Sequence, residues 1–149
     1  MELPMNIREF LPHREPMLMV DEIVKLNGDF IETTFNIKEC NIFLDNNFLS
    51  EVGIIENAAQ TSSGIVGGPH FEKNKLNKEY RVLGYISKIK SVKIFKLPSV
   101  NSQLITKGEM VSMHKIGDFY NCDMKCYTYL NDERIAENYF NLIIQPDIL

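Results

Sequence analysis

Apolar and polar positions along this chain change period twice, and the changes mark its elements. Ile7 to Leu11 predicts a short helical turn broken by Pro12, and Pro16 favours extended backbone beside it. The run Met17-Leu18-Met19-Val20 with Ile23 and Val24 predicts a first strand. Asn27-Gly28-Asp29 reads as a hairpin turn, and Phe30 to Ile37 as the returning strand, in which Ile31, Thr33, Phe35 and Ile37 share the drier face. Lys38 to Leu49 is an expected loop. Ser50 to Gly68 then departs from period two and predicts a helix of about five turns, with Ser50 as N-cap and Gly67, Gly68 and Pro69 as its end. Pro69 to Asn77 reads as a surface loop. Beyond it the chain reads as β throughout: Tyr80 to Leu97, Gln103 to His114, Phe119 to Leu130 and Arg134 to Gln145, with turn residues at Lys115 to Asp118 and at Asn131-Asp132. The class is α+β, a curved antiparallel sheet wrapped around one long central helix.

The helix is the unusual element. Val52, Ile54, Ile55, Ala58, Ala59, Ile65 and Val66 surround most of its circumference, with small Gly53, Ser62, Ser63 and Gly64 between them. That pattern predicts burial on nearly all sides, more than one sheet face covers, so a second subunit packed beside the first is expected. Glu56 interrupts the apolar wall, and Gln60 follows one turn later on the same face. A carboxylate in such a place must be hydrogen-bonded, paired or protonated, which is how a general acid or base is made.

Composition narrows the possibilities. At 149 residues, with 44% hydrophobic and 24% charged residues, one globular domain spanning 1–149 is expected. No apolar run is long enough to cross a bilayer, and the N-terminal stretch has no signal-peptide pattern, so a cytoplasmic protein without membrane partners is expected. Cys40, Cys122 and Cys126 lack a CxxC pair or metal-ligand spacing, so no metal is expected. A net charge of -4 argues against nucleic acid. Lys73, Lys75, Lys78, Arg81, Lys88, Lys90, Lys93 and Lys96 nevertheless face only Glu72 and Glu79 in their stretch, which reads either as a solvated strand face or as a basic patch for an acidic partner.

Phe10 to Val24, FLPHREPMLMVDEIV, and Ile54 to Gln60, IIENAAQ, resemble the hotdog-fold β-hydroxyacyl carrier-protein dehydratases, which share an L-P-H-R-x-P opening and a helix carboxylate followed by A-Q. Looser likenesses at Gly84-Tyr85-Ile86, Leu97-Pro98 and Arg134 to Glu137 extend the match over nearly the whole chain. The resemblance implies elimination of water from a 3-hydroxyacyl thioester carried on the phosphopantetheine arm of an acyl carrier protein, with no cofactor of the enzyme's own. It assigns Glu56 to the catalytic carboxylate and Gln60 to the neighbouring glutamine. The family's catalytic histidine lies in a G-H-F-P-type loop before the helix, whereas the equivalent stretch here, NIFLDNNFLS from Asn41 to Ser50, has none. In this the chain is nearer to dehydratase-like subunits of aryl-polyene and flexirubin-type pathways, some of which work beside another hotdog subunit.

The candidate site is therefore Glu56 with His13, which either substitutes for the missing acid–base group or holds the N-terminal segment in place. Gln60 either contacts substrate or orients Glu56. Asn46 and Asn47 are candidates to hydrogen-bond the substrate hydroxyl, or an exposed turn. Lys88 and Lys90 are candidates for carrier-protein docking. A homodimer or a heterodimer with another hotdog subunit is expected. The alternatives are a non-catalytic subunit that binds acyl chains or completes a partner's cleft, and an acyl thioesterase.

Overall fold

The computed structural model describes residues 2–76 and 80–148, with the side chains of 69–82 and 146–148 left aside. The strands are β1 (Met5–Asn6), β2 (Glu22–Asn27), β3 (Phe30–Asn36), β4 (Leu44–Asp45), β5 (Phe48–Leu49), β6 (Tyr80–Ile94), β7 (Gln103–Ile116), β8 (Phe119–Leu130) and β9 (Glu133–Ile148), with helix α1 (Glu51–Leu76) between β5 and β6. A 3-10 turn, Ile7–Glu9, follows β1. Seven strands form one antiparallel sheet in the order β1-β2-β3-β7-β8-β9-β6, and β4 and β5 form a separate small hairpin. The helix packs across the inner sheet face, touching β3, β6, β7, β8 and β9.

Period-two patterning sets the inner face. In β8, Cys122, Met124, Cys126, Thr128 and Leu130 are buried in strict alternation, and in β9 Ala136, Asn138, Phe140, Leu142 and Ile144 repeat the period, with Ile135 and Asn141 buried as well. Cys122, Met124, Cys126, Phe140, Leu142 and Ile144 share one core cluster with Ala58, Ala59, Ile65 and Val66 of the helix, while Leu49, Ile54, Leu104, Leu130, Ile135 and Ala136 close a second cluster under its start. Gly28 and Gly117 turn the β2–β3 and β7–β8 hairpins at φ of 55° and 59°.

Two sequence expectations need correction. The segment Met17 to Val20 is no strand, although Leu18, Met19 and Val20 are buried. Its backbone polar groups bond helix side chains in place of a neighbouring strand, so it crosses the helix as a strap. Gly67, Gly68 and Pro69 do not end the helix, which runs on to Leu76 in place of the expected loop; Asn77 lies outside the described residues. Both glycines lie against neighbours: a Cβ at Gly67 would sit 2.9 Å from Phe10 Cε1, and one at Gly68 would sit 3.5 Å from Leu26 Cδ2. They serve close packing, not chain reversal. Within this chain one side of the helix is left open, with Val52 59% exposed and Ile55 and Glu56 half-buried.

Candidate active site

The strap, residues 11 to 20, brings the N-terminal motif to the helix. Pro12 and Pro16 remove two backbone donors from it. Arg14 folds back over the start, donating from Nη1 to the carbonyls of Leu11 (2.9 Å) and His13 (2.7 Å), and from Nη2 to that of Arg8 (3.1 Å). Arg8 pairs with Glu15 and holds the carboxyl of Glu15 below its ordinary range, together with a backbone hydrogen bond that is the larger cause.

Two helix side chains fasten the other end. Gln60, 1% exposed, accepts from Met19 N–H through Oε1 at 2.8 Å, and its Nε2 donates to the Met17 carbonyl at 2.7 Å and to Glu56 Oε1 at 2.8 Å. Asn57, fully buried, donates from Nδ2 to the Met19 carbonyl at 2.6 Å. Gln60 thereby uses both amide protons, on strap and carboxylate, which makes it an orienting group within this chain.

His13 and Glu56 meet at the resulting cleft, a cavity of about 240 Å³ also lined by Ala59, Gln60, Ser63, Gly84, Tyr85, Ile86 and Leu142. No hydrogen bond or ion pair joins His13 to Glu56 among the described residues, so the two groups face a shared space. The buried Nδ1 of His13 has no hydrogen-bond partner among the described residues. Burial pushes the imidazole below its ordinary pKa; the Glu56 charge opposes the shift and Arg14 adds to it. The ring is thus disposed to be neutral, the form that accepts a proton. The cleft wall is small-featured, since a Cβ at Gly84 would stand 2.9 Å from Ile144 Cδ1 and 3.6 Å from Ser63 Oγ.

The other candidates lie elsewhere in this chain. Asn46 and Asn47 form the two-residue turn between β4 and β5, at φ of 47° and 65°, exposed and outside the cleft lining. Lys88 and Lys90 are exposed on β6. Lys90 pairs with Asp123 and lies 4.6 Å from the centre of the Tyr139 ring, whereas Lys88 has no ion pair among the described residues. Lys78 and the side chains of His70, Lys73, Lys75 and Arg81 lie outside the described residues, and His114 is exposed.

Sequence reasoning passed over a polar seam between helix and sheet. Thr106 Oγ1 donates to Asn57 Oδ1 at 2.6 Å and lies 3.3 Å from Thr128 Oγ1, Thr33 and Thr61 share a hydroxyl contact of 2.7 Å, and Ser62 Oγ lies 2.8 Å from Cys126 Sγ. The available signal was polar residues at positions whose period marks the inner face: Thr33, Thr106 and Thr128 on strands, Asn57 and Thr61 one turn apart on the helix.

A long helix wrapped by a curved antiparallel sheet is the hotdog fold, here with a carboxylate and an imidazole lining one cleft at the helix margin. Residues 5–147 match the ApeP-like family, described as ApeP dehydratase. The chain belongs to this dehydratase family. It is 32% identical over 145 residues to the 3-hydroxyacyl-(acyl-carrier-protein) dehydratase FabZ of Lawsonia intracellularis, a match covering 91% of this chain and 89% of that protein. With the FabZ of Acinetobacter baylyi it shares 33% over 129 residues, 80% and 84% of the two chains. Among solved structures, the dehydratase heterocomplex ApeI:P from Xenorhabdus doucetiae superposes with a TM-score of 0.76 at 18% identity, covering 99% of this chain and 93% of that one.

Proposed function

We propose that the protein dehydrates a 3-hydroxyacyl thioester carried by an acyl carrier protein, with His13 and Glu56 as its proton-transfer groups. The observation that carries this reading is their common cleft. A neutral His13 imidazole takes the proton from C2 of the substrate, the C3–O bond breaks, and the proton taken up is passed by way of the Glu56 carboxylate to the hydroxyl, which leaves as water. The product is the 2-enoyl thioester. His13 thus takes the part of the histidine that the loop before the helix lacks, and it does so from a segment further upstream in the chain. Gln60 supports the arrangement by holding Glu56 Oε1 and the strap together.

A second hotdog subunit completes the cleft from the β6 side. This strand is fifteen residues long with β9 as its one neighbour in the sheet, so its other edge carries unpaired backbone groups. Exposed Leu83, Tyr85 and Ile89 lie along it, and Tyr85 lines the cleft. The partner is a second copy or a companion subunit, and the carrier protein docks through Lys88 and Lys90 beyond that edge.

Glu56→Gln keeps the shape and removes the charge. The expected result is a folded protein whose turnover of a 3-hydroxyacyl carrier protein drops by about 10²- to 10⁴-fold. Retained turnover in that variant overturns the assignment, and release of free acid with no enoyl product would replace it with a thioesterase.

A further inference from the structure

Asn57 stands next to Glu56 in sequence but points the other way. Its side chain is wholly buried, and both ends are used on different layers: Nδ2 on the strap at the Met19 carbonyl, Oδ1 on the sheet at the Thr106 hydroxyl, each at 2.6 Å. Thr106 sits near the start of β7, the central strand of the sheet, paired with Thr33 on one side and Thr128 on the other. The strap carrying His13 is therefore referenced to the centre of the sheet through one amide. Gln60 ties the same strap residue, Met19, to the helix through its N–H. One backbone residue is thus held at both polar groups by two side chains from one turn of the helix.

We infer that Asn57 is a positioning residue for the dehydration, setting the separation of His13 from Glu56 by clamping the Met19 carbonyl to the Thr106 hydroxyl across the helix. The inference rests on the catalytic reading of His13 and Glu56, and adds to it a residue that touches neither substrate nor either reacting group. Loss of the clamp frees the strap to shift relative to the helix, and displacements of about 1 Å in such a pair cost up to about 10²-fold in rate. Binding of the acyl chain depends on Ala59, Ile86 and Leu142, which the clamp does not contact, so KM should stay put.

The test uses Asn57→Leu, which keeps approximate size without either bond, and Thr106→Val, which removes the sheet anchor and leaves Asn57 in place. Each is assayed below its own melting point for kcat and KM, and the His13 ring is titrated by NMR. The expected result for both is a kcat reduced by about ten- to a hundredfold at unchanged KM, with the His13 titration moving upward as the strap loosens and burial is relieved. The charged groups that bear on that titration, Glu56 and Arg14, are unaltered in both variants. Asn57→Gln, which restores an amide with one more methylene, should recover part of kcat.

A kcat within twofold of the unaltered protein in both variants overturns the inference. So does a reduced kcat with an unmoved His13 titration, which would make Asn57 a stabilising residue alone. His13→Ala is measured alongside: full activity there refutes the catalytic reading itself, whereas an unmoved titration in Asn57→Leu refutes only the positioning role.

Discussion

Gln60→Leu puts the strap attachment to a quantitative test. The substitution keeps side-chain volume close to constant and removes three hydrogen bonds, those to Met19 N–H, the Met17 carbonyl and Glu56 Oε1. They are not equivalent. Met19 is fully buried, so its N–H is left without a partner, and an unmatched buried group costs about 1–3 kcal/mol. Met17 is exposed, so its carbonyl turns to water at a cost of about 1 kcal/mol, and half-buried Glu56 is resolvated at little cost. The sum is about 2–4 kcal/mol. At this chain length each kcal/mol moves the melting temperature by about 2–4 °C, so a drop of about 5–15 °C is expected in calorimetry or thermal circular dichroism. Ser63→Ala is the comparison: it loses one bond, Ser63 Oγ to the Ala59 carbonyl, and orphans no buried donor, so it should cost about 1 kcal/mol or less. A Gln60→Leu protein melting within about 2 °C of the unaltered one would refute the argument that these side chains, not the apolar contacts of Leu18 and Val20, fasten the strap.

Other outcomes follow from the charges and thiols. His13 has a folded-state pKa below its ordinary 6.5, so the unfolded chain takes up this proton first. The contribution of His13 should therefore lower stability as pH falls below about 6.5, and the acid limb of the rate profile should lie below that value; an acid limb above it excludes His13 as the base. Burial pushes the thiols of Cys122 and Cys126 up to about 11 and about 12, while Cys40 is exposed. A thiol reagent at pH 8 should modify one cysteine rapidly and the other two only on unfolding. Lys88→Gln should weaken carrier-protein binding and flatten its salt dependence more than Lys90→Gln, because Lys90 is already paired with Asp123; titration calorimetry at two ionic strengths distinguishes them.

Much of the sheet was legible because its strands obey a single rule. Inner residues of β8 and β9 alternate from end to end, and turn chemistry at Gly28, Gly117 and Asn131-Asp132 marks where they reverse. The helix start was equally plain at Ser50, whose carbonyl accepts from Ile54 N–H at 3.1 Å. Its end was not, because a Gly-Gly-Pro sequence carries the same letters whether the glycines reverse the chain or admit a neighbouring ring, and only the position of Phe10 decides. The strap was misread for a related reason. Apolar content there reports burial, but strand character depends on where backbone bonds go, and those partners, Asn57 and Gln60, lie some forty residues away. Glu56 and Gln60 were legible as a pair from helical spacing, and the structure adds that Gln60 is committed to the strap as well as to the carboxylate. Asn46 and Asn47 carry both of the positive φ angles their turn requires, a demand that by itself accounts for two asparagines there.

A segment zipped to a strand is held by a ladder of backbone bonds that ignores side-chain identity, so its place in the molecule resists substitution. The strap has no such ladder beside Met17 and Met19. Its place is written in two side chains, at 57 and 60, within a single turn of helix. Lineages descending from such a protein can therefore retune the gap between imidazole and carboxylate by exchanging one or two amides, leaving the sheet untouched. Drift at those two positions should be correlated.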